Sequence, residues 1–372
     1  MKARIIEKTI REKVQDWLDT LPLDVAEYVA SKVVVTGGSI ASMFLREPVN
    51  DYDIYFKNIK AAMMITRHYC LKYINEGITQ KSIVRPVTPV LRLTFGEESK
   101  EVYKFINSLS DKSVCNTDNR TPEGKIRALV HPTDPALDDL FEKGYGIVER
   151  VEIFIQSQGF LGDNPDEEYD YFESRESGAA EEFIDGSIGN NTLINEEGLN
   201  EKGEKYKTVF MSSNAITLSH KMQLVIRFFG EPSEIHDTYD FVHAMNYWTK
   251  KEGLVTNTRA LEALLSKELV YSGSKYPLAS IFRTRKFIKR EWSCHVGNYV
   301  KMAMQLNEMD LTDPYVLEEQ LTGVDAAYLY QIIRAVKDKR KDDPTFEFNA
   351  TYICTLVDRM MGESGQTSED LI

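Results

Sequence analysis

Residues Val33 to Phe56, VVVTGGSIASMFLREPVNDYDIYF, decide how the chain is read. The β-branched run Lys32–Thr36 predicts a short buried strand, and Gly37-Gly38 ends it in a turn. Ile40–Leu45 then reads as the start of a helix. Asp51–Phe56 alternates polar and apolar residues with period two, which predicts a second strand. The two glycines let the backbone come close to a ligand, and Ser39 adds a hydroxyl. The helix N-terminus adds free N–H groups and the positive end of a dipole. That combination suits a phosphate-sized anion. On the second strand Asp51 and Asp53 stand two residues apart, so their carboxylates share one face. Adjacent carboxylates repel unless a cation lies between them. A hard divalent ion with oxygen ligands, Mg²⁺ above all, meets that need and also bridges nucleotide phosphates.

Gly-Gly-Ser, a short helix and Asp-Tyr-Asp-Ile-Tyr, in that order, resemble the signature of the DNA polymerase β-like nucleotidyltransferase superfamily. That signature is a glycine turn followed by an acid–apolar–acid strand. The chain also resembles uncharacterised nucleotidyltransferases of large phages. The resemblance implies an α+β fold: a nucleotidyltransferase-like mixed sheet with flanking helices and a large insertion, plus a C-terminal helical domain. It implies Asp51, Asp53 and a third carboxylate as catalytic and metal-binding residues. Asp240 in TYDFVHAMNYW is the preferred third acid, and Glu152 in RVEIFIQS is its rival. Gly37, Gly38 and Ser39 would hold the phosphates of a nucleoside triphosphate, ATP being the commonest donor. Two Mg²⁺ ions, with Mn²⁺ as an alternative, would assist transfer of a nucleotidyl group to an acceptor hydroxyl, releasing pyrophosphate. The acceptor stays open between a nucleic-acid end, a protein and a small molecule. The long insertion between Asp53 and Asp240 departs from the family's minimal core.

Working outward, apolar residues Ile5, Ile6, Ile10, Val14, Leu18 and Leu21 form a helical stripe, and Asn58–Tyr73 reads as a helix. Further strands are expected at Val90–Phe95, Arg150–Gln156, Val209–Met211, Gln223–Phe229 and Tyr239–Met245. From about Asn257 the pattern is helical to the end. The expected organisation is therefore an α+β domain over 1–256 and a helical domain over 257–372.

Charge is unevenly distributed. The 372 residues carry 45 Lys plus Arg against 58 Asp plus Glu, a formal net of -13. Residues 162–204 hold fourteen acids and two bases, so the rest of the chain is close to neutral. This acidic, Gly- and Asn-rich stretch reads as a solvated and partly flexible excursion, with a docking surface for a basic partner as the other reading. In Lys275–Arg290 (KYPLASIFRTRKFIKR) six bases occur without an acid. Either it is a plain amphipathic helix, with Ile281, Phe287 and Ile288 toward the core, or it supplies cations to a ligand. For a nucleotidyltransferase, Lys275 with Arg283 or Lys286 would meet the triphosphate, with Tyr271 or Tyr276 as a base-stacking ring.

Several classes are unsupported. The hydrophobic share of 42% is ample for a core, so a wholly disordered chain is excluded. No run of about 18 apolar residues suggests a membrane span. The charged start MKARIIEKTIREK lacks an apolar segment of the secretory type. Cys70, Cys115, Cys294 and Cys354 are far apart, without a Cys-x-x-Cys pair, which fits a reducing cytoplasm (the host's, if the gene is a phage's). There is no Walker-type or dinucleotide-binding glycine pattern, no nucleophile elbow and no His spacing of the metalloprotease kind. His236 and His243 read as core or surface residues.

Overall fold

A computed structural model describes residues 1–75, 88–115, 121, 124–155, 205–311, 316 and 320. The acidic stretch 162–204 and the helices expected beyond residue 320 lie outside the described residues. The chain divides into two units, with the change from Ser266 to Lys267. The helix that follows Asn257 therefore belongs to the first unit.

The first unit is α+β. Helices α1 (Ala3–Leu18) and α2 (Leu23–Ala30) lead to strand β1 (Val33–Thr36), helix α3 (Gly38–Leu45), strand β2 (Tyr52–Phe56) and helix α4 (Ile59–Asn75). After them come β3 (Pro89–Phe95), α5 (Lys100–Ser108), β4 (Arg127–Val130), the single turn α6 (Ala136–Asp139) and β5 (Val148–Ile155). Strands β6 (Thr208–Met211), β7 (Ala215–Leu218) and β8 (Met222–Phe229) follow, then α7 (Pro232–His236), β9 (Tyr247–Thr249), β10 (Gly253–Val255) and α8 (Thr258–Ser266).

A seven-stranded mixed sheet runs in the order β10-β9-β1-β2-β8-β7-β6. β1 and β2 pair antiparallel, whereas β2 and β8 pair parallel. Strand alternation sorts the two faces. Val33, Val35, Ile54, Phe56, Leu224 and Ile226 point into the main core, while Val34, Tyr55 and Val225 point to the other side. Helix α4 lies between this sheet and a second one, touching β2 and β8 of the first and β3 and β5 of the second. The second sheet is antiparallel, in the order β4-β3-β5.

Helix α1 buries Ile6, Ile10, Val14, Trp17 and Leu18 at helical spacing. Fully burying a side chain of this size stabilises by roughly 1.5–3 kcal/mol. Ile5, expected in the stripe, is instead exposed, because it sits one position off the buried arc. Trp17 donates its indole N–H to the Tyr69 hydroxyl at 2.9 Å, tying α1 to α4 inside the core.

Two expectations about secondary structure are corrected. Tyr239–Met245 is not a strand. It forms a bend followed by one 3-10 turn over Val242–Ala244, because the local bonds Ala244 N–H to Phe241 and Met245 N–H to Val242 hold it closed. The region after Asn257 is not purely helical either. In the second unit, the two-residue strand β11 (Glu268–Leu269) precedes helix α9 (Pro277–Ile288) and pairs in parallel with β12 (Ser293–Cys294), which lies between α9 and helix α10 (Val296–Leu306).

Candidate functional site

β1 ends where the backbone of Gly37 adopts φ 98° and ψ -155°, a region open essentially to glycine alone. The reason lies next door. A Cβ placed on Gly37 would stand 2.9 Å from Oδ2 of Asp53 and 3.4 Å from the Tyr239 hydroxyl. The glycine turn and the acid strand therefore meet, as antiparallel pairing of β1 with β2 requires. Asp51, Asp53 and Tyr55 share a strand parity, and Tyr55 faces away from the main core. The two carboxylates thus belong to the outer face of the sheet.

Their electrostatics follow from this placement. Burial pushes the Asp53 carboxyl up to about 7, and the Asp51 charge pushes it in the same direction. Burial raises Asp51 as well, with the Lys221 ammonium pulling against it. Lys221 is held by its own bond to the Val49 carbonyl at 3.0 Å, and its carbonyl accepts the Tyr52 N–H at 2.8 Å. The site therefore resists carrying two negative charges without a counter-charge. Ser39, in the first turn of α3, is buried, and its hydroxyl has no hydrogen-bond partner. An orphaned buried hydroxyl at a helix start, a glycine cradle and a strained acid pair together fit a divalent cation with an anionic ligand.

Around them stands a second set of residues that the sequence did not single out. The Thr36 hydroxyl donates to the Asn246 carbonyl at 2.9 Å, and Nε2 of His236 lies 2.9 Å from the Thr36 hydroxyl oxygen. One hydroxyl has one proton, so His236 supplies the other. Burial pushes His236 down to about 4, which keeps its ring neutral. Its ring packs on Tyr239 and Tyr247 at centroid distances of 5.3 and 5.8 Å. The phenol of Tyr239 is pushed well above its ordinary value by burial, then by Tyr55 and Asp53. The Gly37 N–H donates to the Ala244 carbonyl at 3.2 Å, so the 3-10 turn anchors the end of β1.

The third acid stands differently from expectation. Asp240 sits on the bend before the 3-10 turn, not at the start of a strand, and it is its neighbour Tyr239 that reaches Asp53 and Gly37. Glu152, the rival, is buried on β5 in the second sheet and is neutralised by two arginines. Arg92 Nε donates to one oxygen at 3.2 Å and Arg150 to the other at 2.5 Å. Its charge is met within its own sheet. Among the described residues, no group of three or more His, Cys, Asp and Glu side chains is gathered to hold a metal ion.

The second unit is described by itself. Helix α9 carries Arg283 and Lys286, and Lys275 precedes it; Lys275 accepts a bond from Gln320 at its carbonyl, 2.8 Å. The fully buried side of α9 is Ala279, Ser280 and Thr284; of the expected Ile281, Phe287 and Ile288, the first two are half-buried and Ile288 is exposed. Ser280 and Thr284 satisfy their hydroxyls on carbonyls of the preceding turn, which lets them be buried cheaply. Tyr271 and Tyr276 are buried too, and the Tyr271 hydroxyl donates to Gln305 at 2.6 Å. Neither ring is an open stacking platform.

Residues 8–267 match the model of the Gabija anti-defense 2 family, Gad2. The chain belongs to the Gad2 family. The match takes in Gly37, Asp51, Asp53, Glu152 and Asp240, and it ends where the second unit begins, so the Gad2 match excludes Lys275, Arg283 and Lys286. No curated protein and no solved structure matches the chain. Among the described residues, no helix of this Gad2 member is long and apolar enough to cross a membrane.

Proposed function

We propose that this Gad2 family member is a Mg²⁺-dependent nucleotidyltransferase whose reaction serves the anti-defence role in the family's description, inside the host cell of a phage. The observation that carries this reading is the close approach of Asp53 to the glycine cradle at Gly37, with Asp51 just before the strand and close enough for its charge to act on Asp53. In this reading Asp51 and Asp53 hold the cation, and Mn²⁺ could replace Mg²⁺. When bound, the cation neutralises triphosphate charge and lowers the pKa of an acceptor hydroxyl. Gly38 and Ser39 present first-turn N–H groups that have no intrahelical acceptor, and these would take the phosphate oxygens. Tyr239 and Tyr55 wall the carboxylate face and limit water around Asp53. Asp240 stays a candidate for the remaining carboxylate if the bend before the 3-10 turn rearranges on binding. The nucleotidyl group would pass to a nucleic-acid end, a protein or a small molecule.

Incubation with α-labelled nucleoside triphosphates and Mg²⁺, against separate pools of RNA, DNA, proteins and metabolites, tests the reading. Label should enter one pool, and Asp51→Asn with Asp53→Asn should abolish its entry.

A second reading, a nucleotide-binding module that opposes Gabija without transfer, is favoured by one observation. Among the described residues, Asp51 and Asp53 are joined by no third metal-ligating side chain, and Asp240 lies on a bend rather than a strand. Metal-dependent nucleotide binding without label in any pool would select that reading.

A further inference from the structure

The second sheet has two chemically different faces. Leu91, Leu93, Ala128, Val130, Val151 and Ile153 are buried in the main core. Alternation places Arg92, Thr94, Arg127, Arg150 and Glu152 on the opposite face. The register is specific: Thr94 on the middle strand stands opposite Arg127 of β4 on one side and Arg150 of β5 on the other. One row back, Arg92 stands opposite Glu152.

Among the described residues, Arg92, Arg127 and Arg150 share this face with one acid, Glu152. Glu152 is committed to Arg92 and Arg150, at 3.2 and 2.5 Å. Among the described residues no acid pairs with Arg127, which is half-buried. The Nε atoms of Arg127 and Arg150 are both buried without a hydrogen-bond partner. A buried donor left unsatisfied costs about 1–3 kcal/mol, and more when it is charged. Two such donors flank one buried threonine, across two strand spacings or about 10 Å, which two arginine side chains can close between them. The Arg150 side chain keeps 35% of its surface exposed, so the row is open on that side.

From this geometry we infer that the row Arg127–Thr94–Arg150 is a binding site for a phosphoryl group, carried by a free nucleotide or by a nucleic-acid strand. The Arg127 guanidinium, which no described acid pairs, suits an anion. Guanidinium forks match phosphate oxygens in pairs, and the Thr94 hydroxyl can add a donor between them. The site lies on a different sheet from Asp53 and needs no metal, so it stands apart from nucleotidyl transfer.

The test uses the full chain in EDTA, which silences metal-dependent binding on β2. Probes are inorganic phosphate, AMP, ATP and a fluorescent single-stranded oligonucleotide, compared between the natural protein, Arg127→Gln and Arg127→Lys. At least one probe should bind the natural protein, and Arg127→Gln should weaken it by roughly tenfold or more, with partial recovery in Arg127→Lys. Preference for AMP or ATP assigns the phosphoryl group to a nucleotide, and preference for the oligonucleotide assigns it to a strand. Arg127→Gln should not lower the Tm, because it removes an unpaired charge rather than a pair. Unchanged affinity in Arg127→Gln with a native Tm, or no binding of any probe to the natural protein, overturns the inference.

Discussion

Gly37 and Asp53 are in mutual contact range: any side chain on the glycine would begin 2.9 Å from the carboxylate oxygen. The glycine also has φ 98° with ψ near the extended limit, where an L-residue is strained. Gly37→Ala therefore meets two costs at once, backbone strain and displacement of Asp53. The expected destabilisation is about 2–3 kcal/mol, seen as a lowered Tm together with weakened metal binding. Gly38→Ala is the control, since nothing lies within 4 Å of a Cβ there and its backbone is helical. It should leave Tm nearly unchanged.

The Asp53 carboxyl is held at about 7 in the folded protein against an ordinary 3.8. An acid raised by folding stabilises the folded state below pH 4, and that contribution is lost as pH rises through 7. In metal-free buffer Asp53→Asn should match the natural protein near pH 4 and exceed it in stability at pH 8. The excess should be roughly 1–3 kcal/mol, kept below the full shift because the carboxylate is only partly buried. Denaturation curves from pH 4 to pH 8 check this. A difference that does not change with pH would contradict it. Added Mg²⁺ should close the gap at pH 8, since a cation replaces the proton.

Glu152→Gln would leave Arg92 and Arg150 without their shared counter-charge in a buried place. Loss of one partner from such a group costs about 3–5 kcal/mol. The Tm should fall clearly, while metal binding per folded molecule stays unaltered. Loss of metal binding at full stability would return Glu152 to the catalytic candidates.

Much of the first unit was legible because its signals are local. β1, α3, β2 and α4 follow from β-branched runs, a glycine turn and simple periodicities. The meeting of Gly37 with Asp53 follows from pairing β1 against β2 across one short helix. The residues missed owe their place to tertiary contact. His236 reaches Thr36, and Tyr239 reaches Asp53, across about 200 positions of chain, a separation over which periodicity carries no signal. Tyr239–Met245 was misread because YDFVHAM is apolar enough for a buried strand. Its first bonds, however, close locally into a turn, and the Tyr239 hydroxyl stands next to Gly37 and Asp53. Glu152 looked like a strand carboxylate awaiting a cation, and its cations proved to be two arginines of its own sheet. In α9 the hydroxyls of Ser280 and Thr284 bond within the helix, so two polar residues are buried where a hydrophobicity pattern carries no signal for them.

The central claim is that Asp51 and Asp53 carry a metal-assisted transfer of nucleotide. The most direct measurement is pyrophosphate release coupled to label transfer from α-labelled ATP and Mg²⁺, with the natural protein and with Asp53→Asn at matched folding. The account predicts transfer by the natural protein and a loss of at least about a thousandfold in the variant, the scale on which removal of a key charge-stabilising group acts. Transfer that persists undiminished in Asp53→Asn would contradict it.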